Sequence, residues 1–508
     1  MITNFIKTVD EYGITNPQDI VYENNGIQNT YAELKNDSDN LAAYLDQLQL
    51  PREKPILVYG NQKFQTIATF MGIVKSGHAY IPVDSHSPET RLHLIQEIAK
   101  PALVINVEDP DFQFTNCTTI NQKQLANIFK QNNNYRIDHE VKGNENYYII
   151  FTSGTTGTPK GVQISHKNLL SYINWMLNSD FNLPKSPRCL AQPPYSFDLS
   201  VMNWGPTLAK GGTLVALDKE TTDNFKELFQ VLPKTRIQVW VSTPTFMDLC
   251  LLNPNFNETS LPELSHFLFC GEELTPKTAQ TILQRFPKSH VFNTYGPTEA
   301  TVAVSEVEIT PRILKNYSRL PIGVPKSDTK FTIIDPQTGK ELGKNQKGEL
   351  IISGPSVSKG YINNSEKTAS AFIAKNPRQY RTGDLCACDE HGQYLFFGRT
   401  DFQIKLHGYR IELEEVNVHL RHQPLVKQGA VVPVYDKNHK VKQLIAWVVP
   451  SKNVKDNELA ATEEIKAGLK KEMLSYMVPQ RIIYKTALPQ TNSGKIDLVA
   501  IIKEVNHS

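Results

Sequence analysis

The sequence predicts an α/β protein with a large body built on a largely parallel sheet, followed by a small α+β unit. Through residues 1–400, short apolar runs alternate with helical patterns, as in βα units whose strands lie parallel. Over 401–508 the pattern changes to paired strands and helices in a smaller unit. A chain of 508 residues is also too long for one ordinary core, and a prior of about 100–200 residues per domain gives two to four units.

Thr30 opens the body with T-Y-A-E, a capping box in which Glu33 takes the N3 position, and Leu34, Leu41, Leu45 and Leu48 recur at helical spacing. Ile56, Leu57, Val58 and Tyr59 form a buried strand ended by Gly60, and a helix over 62–75 stops at Gly77. Further strands are expected at 102–105, 147–151 and 212–217. In the smaller unit the pattern predicts a helix at 411–422 and strands at 430–435 and 443–449 joined by a polar turn at 436–440. A helix at 458–476 and a strand at 481–486 complete it. The domain boundary is expected at 399–401. In sheets of this kind, ligands sit at loops beyond the strand ends.

Composition excludes several classes. Hydrophobic residues make up 40% and charged residues 21%, the balance of a globular protein. A net charge of +2 gives no global field to hold nucleic acid or an acidic membrane. The six cysteines are too sparse to staple the fold and imply reduced thiols. No run of 18 apolar residues suits a membrane span. Asp10 and Glu11 interrupt the N-terminus before a signal sequence develops, so a cytoplasmic location is expected; a monomer is expected as well, on no motif of its own. The scattered histidines lack H-E-x-x-H, Cys386-x-Cys388 lacks partners at zinc spacing, and Ser153 lacks the G-x-S-x-G elbow. These absences disfavour zinc hydrolase and serine hydrolase chemistry.

The expected strand 147–151 runs into Thr152, Ser153, Gly154, Thr155, Thr156, Gly157, Thr158, Pro159, Lys160 and Gly161. Small residues let the backbone approach a ligand closely. Hydroxyls and N–H groups can bond phosphate oxygens, and Lys160 adds positive charge. Gly154 and Gly157 do not have Walker A spacing. A flexible Gly/Thr linker is the bland alternative. Strand context before the loop and a helical pattern over 168–176 after it favour a phosphate loop.

TSGTTGTPKG resembles the signature of the adenylate-forming superfamily, which includes acyl-CoA synthetases, luciferases and the adenylation domains of non-ribosomal peptide synthesis. NTYGPTE at 293–299, YRTGD at 380–384, GRTD at 398–401 and NSGK at 492–495 are similar to that family's other motifs and occur in its order. The resemblance spans nearly the whole chain. It implies a large domain, 1–400, of parallel α/β subdomains plus a small barrel-like part, and a small mobile lid, 401–508. It also implies that ATP and Mg²⁺ take part.

In such a reaction a carboxylate attacks the α-phosphate, so the site needs cations and positioned donors more than a covalent nucleophile. The resemblance gives Thr298 a phosphate contact and Glu299 the Mg²⁺, a hard cation suited to a carboxylate. It gives Tyr295 the adenine face, and assigns Asn293, Thr294, Gly296 and Pro297 to the same nucleotide site. Asp384 takes the ribose, Arg399 reaches the nucleotide, and Phe396, Phe397 and Gly398 adjoin it. Asp401 is the hinge, and Gly408 makes room for a pantetheine arm. Lys495 bridges the α-phosphate and the substrate carboxylate. Taken singly, NTYGPTE is also a Gly-Pro turn, Asp384 a turn residue, Asp401 a surface residue and Lys495 a solvated charge.

Asp198, in QPPYSFD, sits where amino-acid-activating members of the family pair an aspartate with the substrate ammonium. A helix N-cap before Leu199 is the alternative. QPPYSFDLSVMNWGPTLAKGGTL, FCGEELT, TYGPTEATVAVSEVEIT and DFQIKLHGYRIELEEV are similar to the branch that loads D-alanine onto a carrier for teichoic acid D-alanylation. By that resemblance Cys270 narrows the pocket, Val302 lines it, and Gly296 and Lys495 complete the D-alanine site. A buried Cys is otherwise a small hydrophobe, and a pocket narrowed by Cys270 admits glycine or L-alanine on size alone. The residues after Lys495 are too few for a carrier domain, so a separate acidic phosphopantetheinylated carrier is expected. Lys466, Lys470 and Lys471 offer it a face, or are simply a solvated helix surface. Two other readings compete with this one. One is an adenylating enzyme for a different amino acid or an acyl-CoA synthetase, against whose acyl form Asp198 speaks. The other is a non-catalytic nucleotide- or carrier-binding relative, which has no need of the Lys160, Glu299, Asp384 and Lys495 set.

Replacing Lys495 with Ala is expected to leave the fold intact and lower adenylate formation by about 10²–10³-fold. ATP–pyrophosphate exchange reads the loss, and circular dichroism checks the fold.

Overall fold

The computed structural model describes all residues except 155–157, 179, 437–439, 452–453, 455–456, 492–495 and 507–508. Its chain forms two compact units. One holds Met1–Ser85, Ile98–Phe151 and Gly161–Thr400, and the other holds His86–Glu97, Thr152–Lys160 and Asp401–Ser508. Two inner segments therefore belong with the C-terminal residues, which a division read along the sequence does not reveal.

The first unit is built on three sheets. The largest has nine strands, six of them forming a continuous parallel centre: Ile20–Asn24, Thr213–Ala216, Arg188–Ala191, Val239–Ser242, His266–Phe269 and His290–Tyr295. Its edges are antiparallel, where Ile27–Thr30 pairs with the first strand and Ser305–Glu308 with the last of that centre. A six-stranded sheet runs in the order Thr119–Ile120, Leu103–Asn106, Ile56–Tyr59, Tyr80–Val83, Asn146–Thr152, Lys160–Ser165. Its central strands are buried on both faces, which is why they read as unbroken apolar runs rather than as alternation. A five-stranded sheet, antiparallel throughout, spans the strands from Lys330–Ile334 to Tyr394–Arg399.

Local chemistry explains several boundaries. The Thr30 hydroxyl accepts from the Glu33 N–H while the Glu33 carboxylate accepts from the Thr30 N–H at 2.6 Å, so the helix Tyr31–Gln47 starts with the expected capping box. The helix expected at 168–176 begins two residues earlier, as His166–Met176, because Ser165 and Asn168 form a reciprocal cap. The strand Lys160–Ser165 precedes it, so the segment expected to bind phosphate lies between two neighbouring strands rather than between a strand and a helix.

In the second unit, Val426–Tyr435 and Val441–Pro450 form an antiparallel pair, and Arg481–Tyr484 adds to it in parallel. The turn expected between the first two lies partly at 437–439, outside the described residues. The helix expected from Ile411 starts later. Ile411 pairs with Ile404 across the hairpin Gln403–Leu406 and Tyr409–Glu412, and the helix is Leu413–Arg421. The β-branched side chains at both positions favour that pairing over a helix. The helix Glu458–Glu472 also ends before 476, and a 3-10 turn at Ser475–Met477 follows. Pro479 disfavours helix at the preceding residue, and Val478 is extended (φ −72°, ψ 125°). On this helix Lys466 donates to the Gln480 carbonyl at 2.6 Å, while Lys470 and Lys471 are exposed among Glu463, Glu464 and Glu472. Among the described residues no helix is long and apolar enough to cross a membrane. All six cysteines are free thiols.

Candidate active site

The parallel strands His266–Phe269 and His290–Tyr295 end side by side, and the segment after each carries chemistry. Thr294 Oγ1 donates to the Phe269 carbonyl at 2.8 Å and fixes the two ends together. Asn293 Nδ2 donates to the Pro321 carbonyl at 2.8 Å, which holds the next connection in place. Gly296 is required where the chain turns back, because a Cβ there would lie 2.5 Å from Ala303 Cα and 2.8 Å from the Val302 carbonyl oxygen. Beyond the 3-10 turn Thr298–Ala300, Thr301 and Val302 both adopt left-handed backbone, at φ 61° and 66°. For β-branched residues this costs about 1–3 kcal/mol each and persists only where surrounding contacts enforce it. Here Thr301 Oγ1 donates to the Ser356 carbonyl at 2.7 Å, and the Val302 carbonyl accepts from the Cys270 thiol at 3.7 Å. Strained backbone thus brings Val302 against Cys270.

Asp198 is buried, with 7% exposure, at the start of the helix Leu199–Ala209. It does not act as an N-cap. Its own backbone is helical (φ −64°, ψ −21°) and its side chain makes no capping bond, so the helix-end explanation for this carboxylate fails. Its charge reaches the phenols of Tyr148 and Tyr172. Burial first, and then Asp198, holds the Tyr148 hydroxyl well above its ordinary range. For Tyr172 burial leads, followed by Cys270, Tyr148 and Asp198. Both hydroxyls are neutral donors, buried without a hydrogen-bond partner among the described residues. Neither tyrosine stands out in the sequence, because both occupy apolar positions of a strand and a helix.

Glu299 is fully buried. Tyr361 Oη donates to its Oε1 at 2.8 Å, and its carbonyl accepts from the Ser358 N–H at 2.8 Å. Tyr361 is the positioning residue that sequence reasoning missed. A bridge to Val162 and an edge contact with Phe372, with ring centroids 5.5 Å apart, hold it. Thr298, beside Glu299, is also buried.

Asp384 lies within the strand Gln379–Cys388 rather than at a turn end. The register shifts between Asp384 and Cys386, and Gly383 before it has φ 69°, so a bulge re-aims the carboxylate. Arg399 Nη1 donates to Asp384 Oδ1 at 2.5 Å, and the Tyr295 hydroxyl donates to Oδ2. Burial, and then the Asp384 charge, pushes the Tyr295 phenol well above its ordinary value, so it stays a donor. Tyr295 is therefore tied to Asp384 through its hydroxyl, a contact the expected adenine role did not anticipate. Phe396 and Phe397 lie on the neighbouring strand Tyr394–Arg399, with Arg319 5.6 Å from the first ring centroid and Lys347 Nζ 4.1 Å from the second. Gly398 follows them at φ 109°.

The remaining sequence-derived residues lie in the second unit. A Cβ at Gly154 would lie 1.9 Å from the Thr158 carbonyl oxygen, so the loop closes only over glycine. Ser153 and Lys160 are buried, and Thr152 Oγ1 donates to the Lys160 carbonyl at 3.5 Å. Asp401 is exposed and accepts from the Gln403 N–H at 3.1 Å. Thr155, Thr156, Gly157 and Lys495 lie outside the described residues. Among the described residues no group of three or more His, Cys, Asp or Glu side chains is arranged to hold a metal ion. A Mg²⁺ that arrives with a triphosphate needs only one or two carboxylates, and buried Glu299 fits that requirement.

A largely parallel body with buried Asn293, Thr294, Thr298 and Glu299 at and just after the end of one of its strands fits an adenylating enzyme. The chain belongs to the AMP-binding enzyme family, whose model matches residues 10–362, with the C-terminal domain model of the same family matching 414–495. It is 57% identical over 507 residues to the D-alanine–D-alanyl carrier protein ligase of Lactiplantibacillus plantarum, covering all of both chains. It is 52% identical to the protein of that name from Lacticaseibacillus rhamnosus and 50% identical to that of Streptococcus agalactiae, again over the full length of both chains. Among solved structures it is similar to the Vibrio cholerae adenylation domain AlmE in complex with glycyl-adenosine-5'-phosphate (TM-score 0.81, 22% identity, 99% and 98% of the two chains). It is also similar to the o-succinylbenzoate CoA synthetase of Bacillus subtilis (TM-score 0.83, 19% identity, 100% and 99%). These two likenesses concern the fold.

Substituting Tyr361 with Phe removes the hydroxyl that holds Glu299. The Mg²⁺ concentration for half-maximal pyrophosphate exchange is expected to rise about tenfold or more, the loss of a hydrogen bond to a charged group being worth about 1.5–3 kcal/mol. Calorimetric binding of MgATP is expected to weaken in parallel, with ATP binding in EDTA unchanged.

Proposed function

We propose that this chain is an AMP-forming ligase that activates D-alanine with ATP and passes it to the phosphopantetheine thiol of a separate D-alanyl carrier protein, the first step of teichoic acid D-alanylation. The observation that carries the amino-acid reading is Asp198, a buried carboxylate with no capping role. A carboxylate in that position is stabilised by a substrate cation, which a fatty acid does not provide. The full-length identity to ligases of this name supports D-alanine as the amino acid.

In the first step a carboxylate oxygen of D-alanine bonds to the α-phosphorus. The bond from that phosphorus to the bridging oxygen breaks, and pyrophosphate leaves with the electron pair. Asp198 pairs with the ammonium, and the neutral hydroxyls of Tyr148 and Tyr172 add dipoles beside it. Cys270 and Val302, packed together under strain, limit the space for the side chain, with Gly296 at the turn. Asp384, held by Arg399 and Tyr295, accepts from the ribose hydroxyls. Asn293, Thr294 and Pro297 shape the nucleotide segment, and Phe396, Phe397 and Gly398 adjoin it. Ser153, Gly154, Lys160 and the neighbouring loop residues supply phosphate donors, with Thr298 beside them in role. Glu299 would hold Mg²⁺, which would neutralise phosphate charge when bound. Lys495 bridges the α-phosphate and the substrate carboxylate. In the second step the carrier's sulfur bonds to the acyl carbon, the bond to the phosphate oxygen breaks, AMP leaves, and the thiol proton passes to solvent.

Residues 1–400 serve as the binding domain and 401–508 as the lid, with Asp401 as its hinge. ATP supply and free thiols suit a cytoplasmic location, and the chain acts as a monomer on a separate acidic carrier.

ATP–pyrophosphate exchange is expected with D-alanine well above L-alanine and glycine, and Cys270→Ala is expected to narrow the D/L ratio. Exchange with a different acid but not with D-alanine contradicts the substrate. An unchanged ratio in the variant contradicts the role of Cys270.

A further inference from the structure

The donors of the phosphate loop are engaged by oxygens of the segment after Asp401. Ser153 Oγ donates to the Arg410 carbonyl at 2.8 Å, the Gly154 N–H to Glu415 Oε2 at 3.0 Å, and Lys160 Nζ to Glu412 Oε1 at 3.4 Å. A hydroxyl, a backbone N–H and an ammonium are the groups that a polyphosphate would use, and two of the three acceptors are carboxylates. Both are buried, with 4% exposure at Glu412 and 2% at Glu415. Burying a carboxylate is costly unless it is paired and hydrogen-bonded, and both have further partners. Arg91 Nη1 lies 3.2 Å from Glu415 Oε1, and Gln403 Nε2 donates to Glu412 Oε1 at 2.5 Å. The two carboxylates are thus fixed by their own supports as well as by the loop.

A carboxylate oxygen has the charge and acceptor character of a phosphate oxygen. An N–H already bonded to Glu415 is not available to a triphosphate, so the two ligands of the loop exclude each other. We propose that Glu412 and Glu415 are internal substitutes for pyrophosphate. They take over the phosphate loop once pyrophosphate has left, stabilise the arrangement used for thiol transfer, and are released when ATP binds. They are positioning residues and make no contact with the reacting atoms. The inference deepens the proposed two-step reaction and rests on it.

Because the competition is thermodynamic, weakening the internal ligand strengthens the other, by up to the same factor. Glu415→Gln and, separately, Glu412→Gln in the full chain keep the side-chain shape and remove the charge. In both, calorimetric affinity for tripolyphosphate and for ATP is expected to rise about fivefold or more. Single-turnover transfer from preformed aminoacyl adenylate to pantetheine is expected to fall by a similar factor. A merely structural role lowers both. Unchanged or weaker tripolyphosphate binding in the two variants, or a parallel fall in both measurements, overturns the proposal. Tripolyphosphate binding involves no amino acid, so a wild-type protein that fails to exchange with D-alanine disproves the substrate assignment without touching this result.

Discussion

Buried carboxylates that need positive or donor partners dominate this molecule's functional regions. Asp198, Glu299, Asp384, Glu412 and Glu415 are each less than a tenth exposed. An ionised carboxylate taken from water is tolerated only when hydrogen bonds or charges offset its desolvation. Arg399 and Tyr295 serve Asp384, Tyr361 serves Glu299, and Arg91, Gln403, Gly154 and Lys160 serve the last two. Each partner also fixes direction, so the same contacts that stabilise the charges aim them.

The backbone around these charges is arranged at a cost. Thr301 and Val302 sit in left-handed conformations that β-branched residues avoid, and the strand carrying Asp384 is bulged after a positive-φ glycine. Gly296 and Gly154 stand where any side chain would strike neighbouring backbone. Strain and small residues cluster beside the groups assigned to binding, where precise placement matters more than local stability. The sheets beneath are conventional, with central strands buried on both faces and helices started by reciprocal caps.

Much of this was legible in the sequence because it is local. A capping box is complete within four residues, so Thr30 and Glu33 announce their helix. Apolar runs such as 56–59 reveal buried strands without any knowledge of their neighbours. Boundaries failed where distant chain decides them. Ile411 is a strand residue because Ile404 pairs with it across a hairpin, and the α-helix from Glu458 ends at Glu472, where extended Met473 leads into a 3-10 turn over Ser475–Met477. Motif order brought Glu299, Asp384 and Asp198 forward as candidates. Their supports were hidden: Tyr361 meets Glu299 across 62 residues and Gly154 meets Glu415 across 261. No spacing rule reaches that far. Tyr148 and Tyr172 were hidden for a different reason, since their pattern is that of core residues and what marks them is a hydroxyl with no partner among the described residues.

The central claim is that the buried charge of Asp198 selects a substrate carrying an ammonium group. Its most direct test is the ratio of kcat/KM for D-alanine to that for propionate, which lacks only the amino group, in the wild-type chain and in Asp198→Asn. Breaking a buried charge pair by removing one partner costs about 2–5 kcal/mol, so the ratio should collapse by about thirtyfold or more in the variant. An equal preference for D-alanine in both proteins contradicts the account.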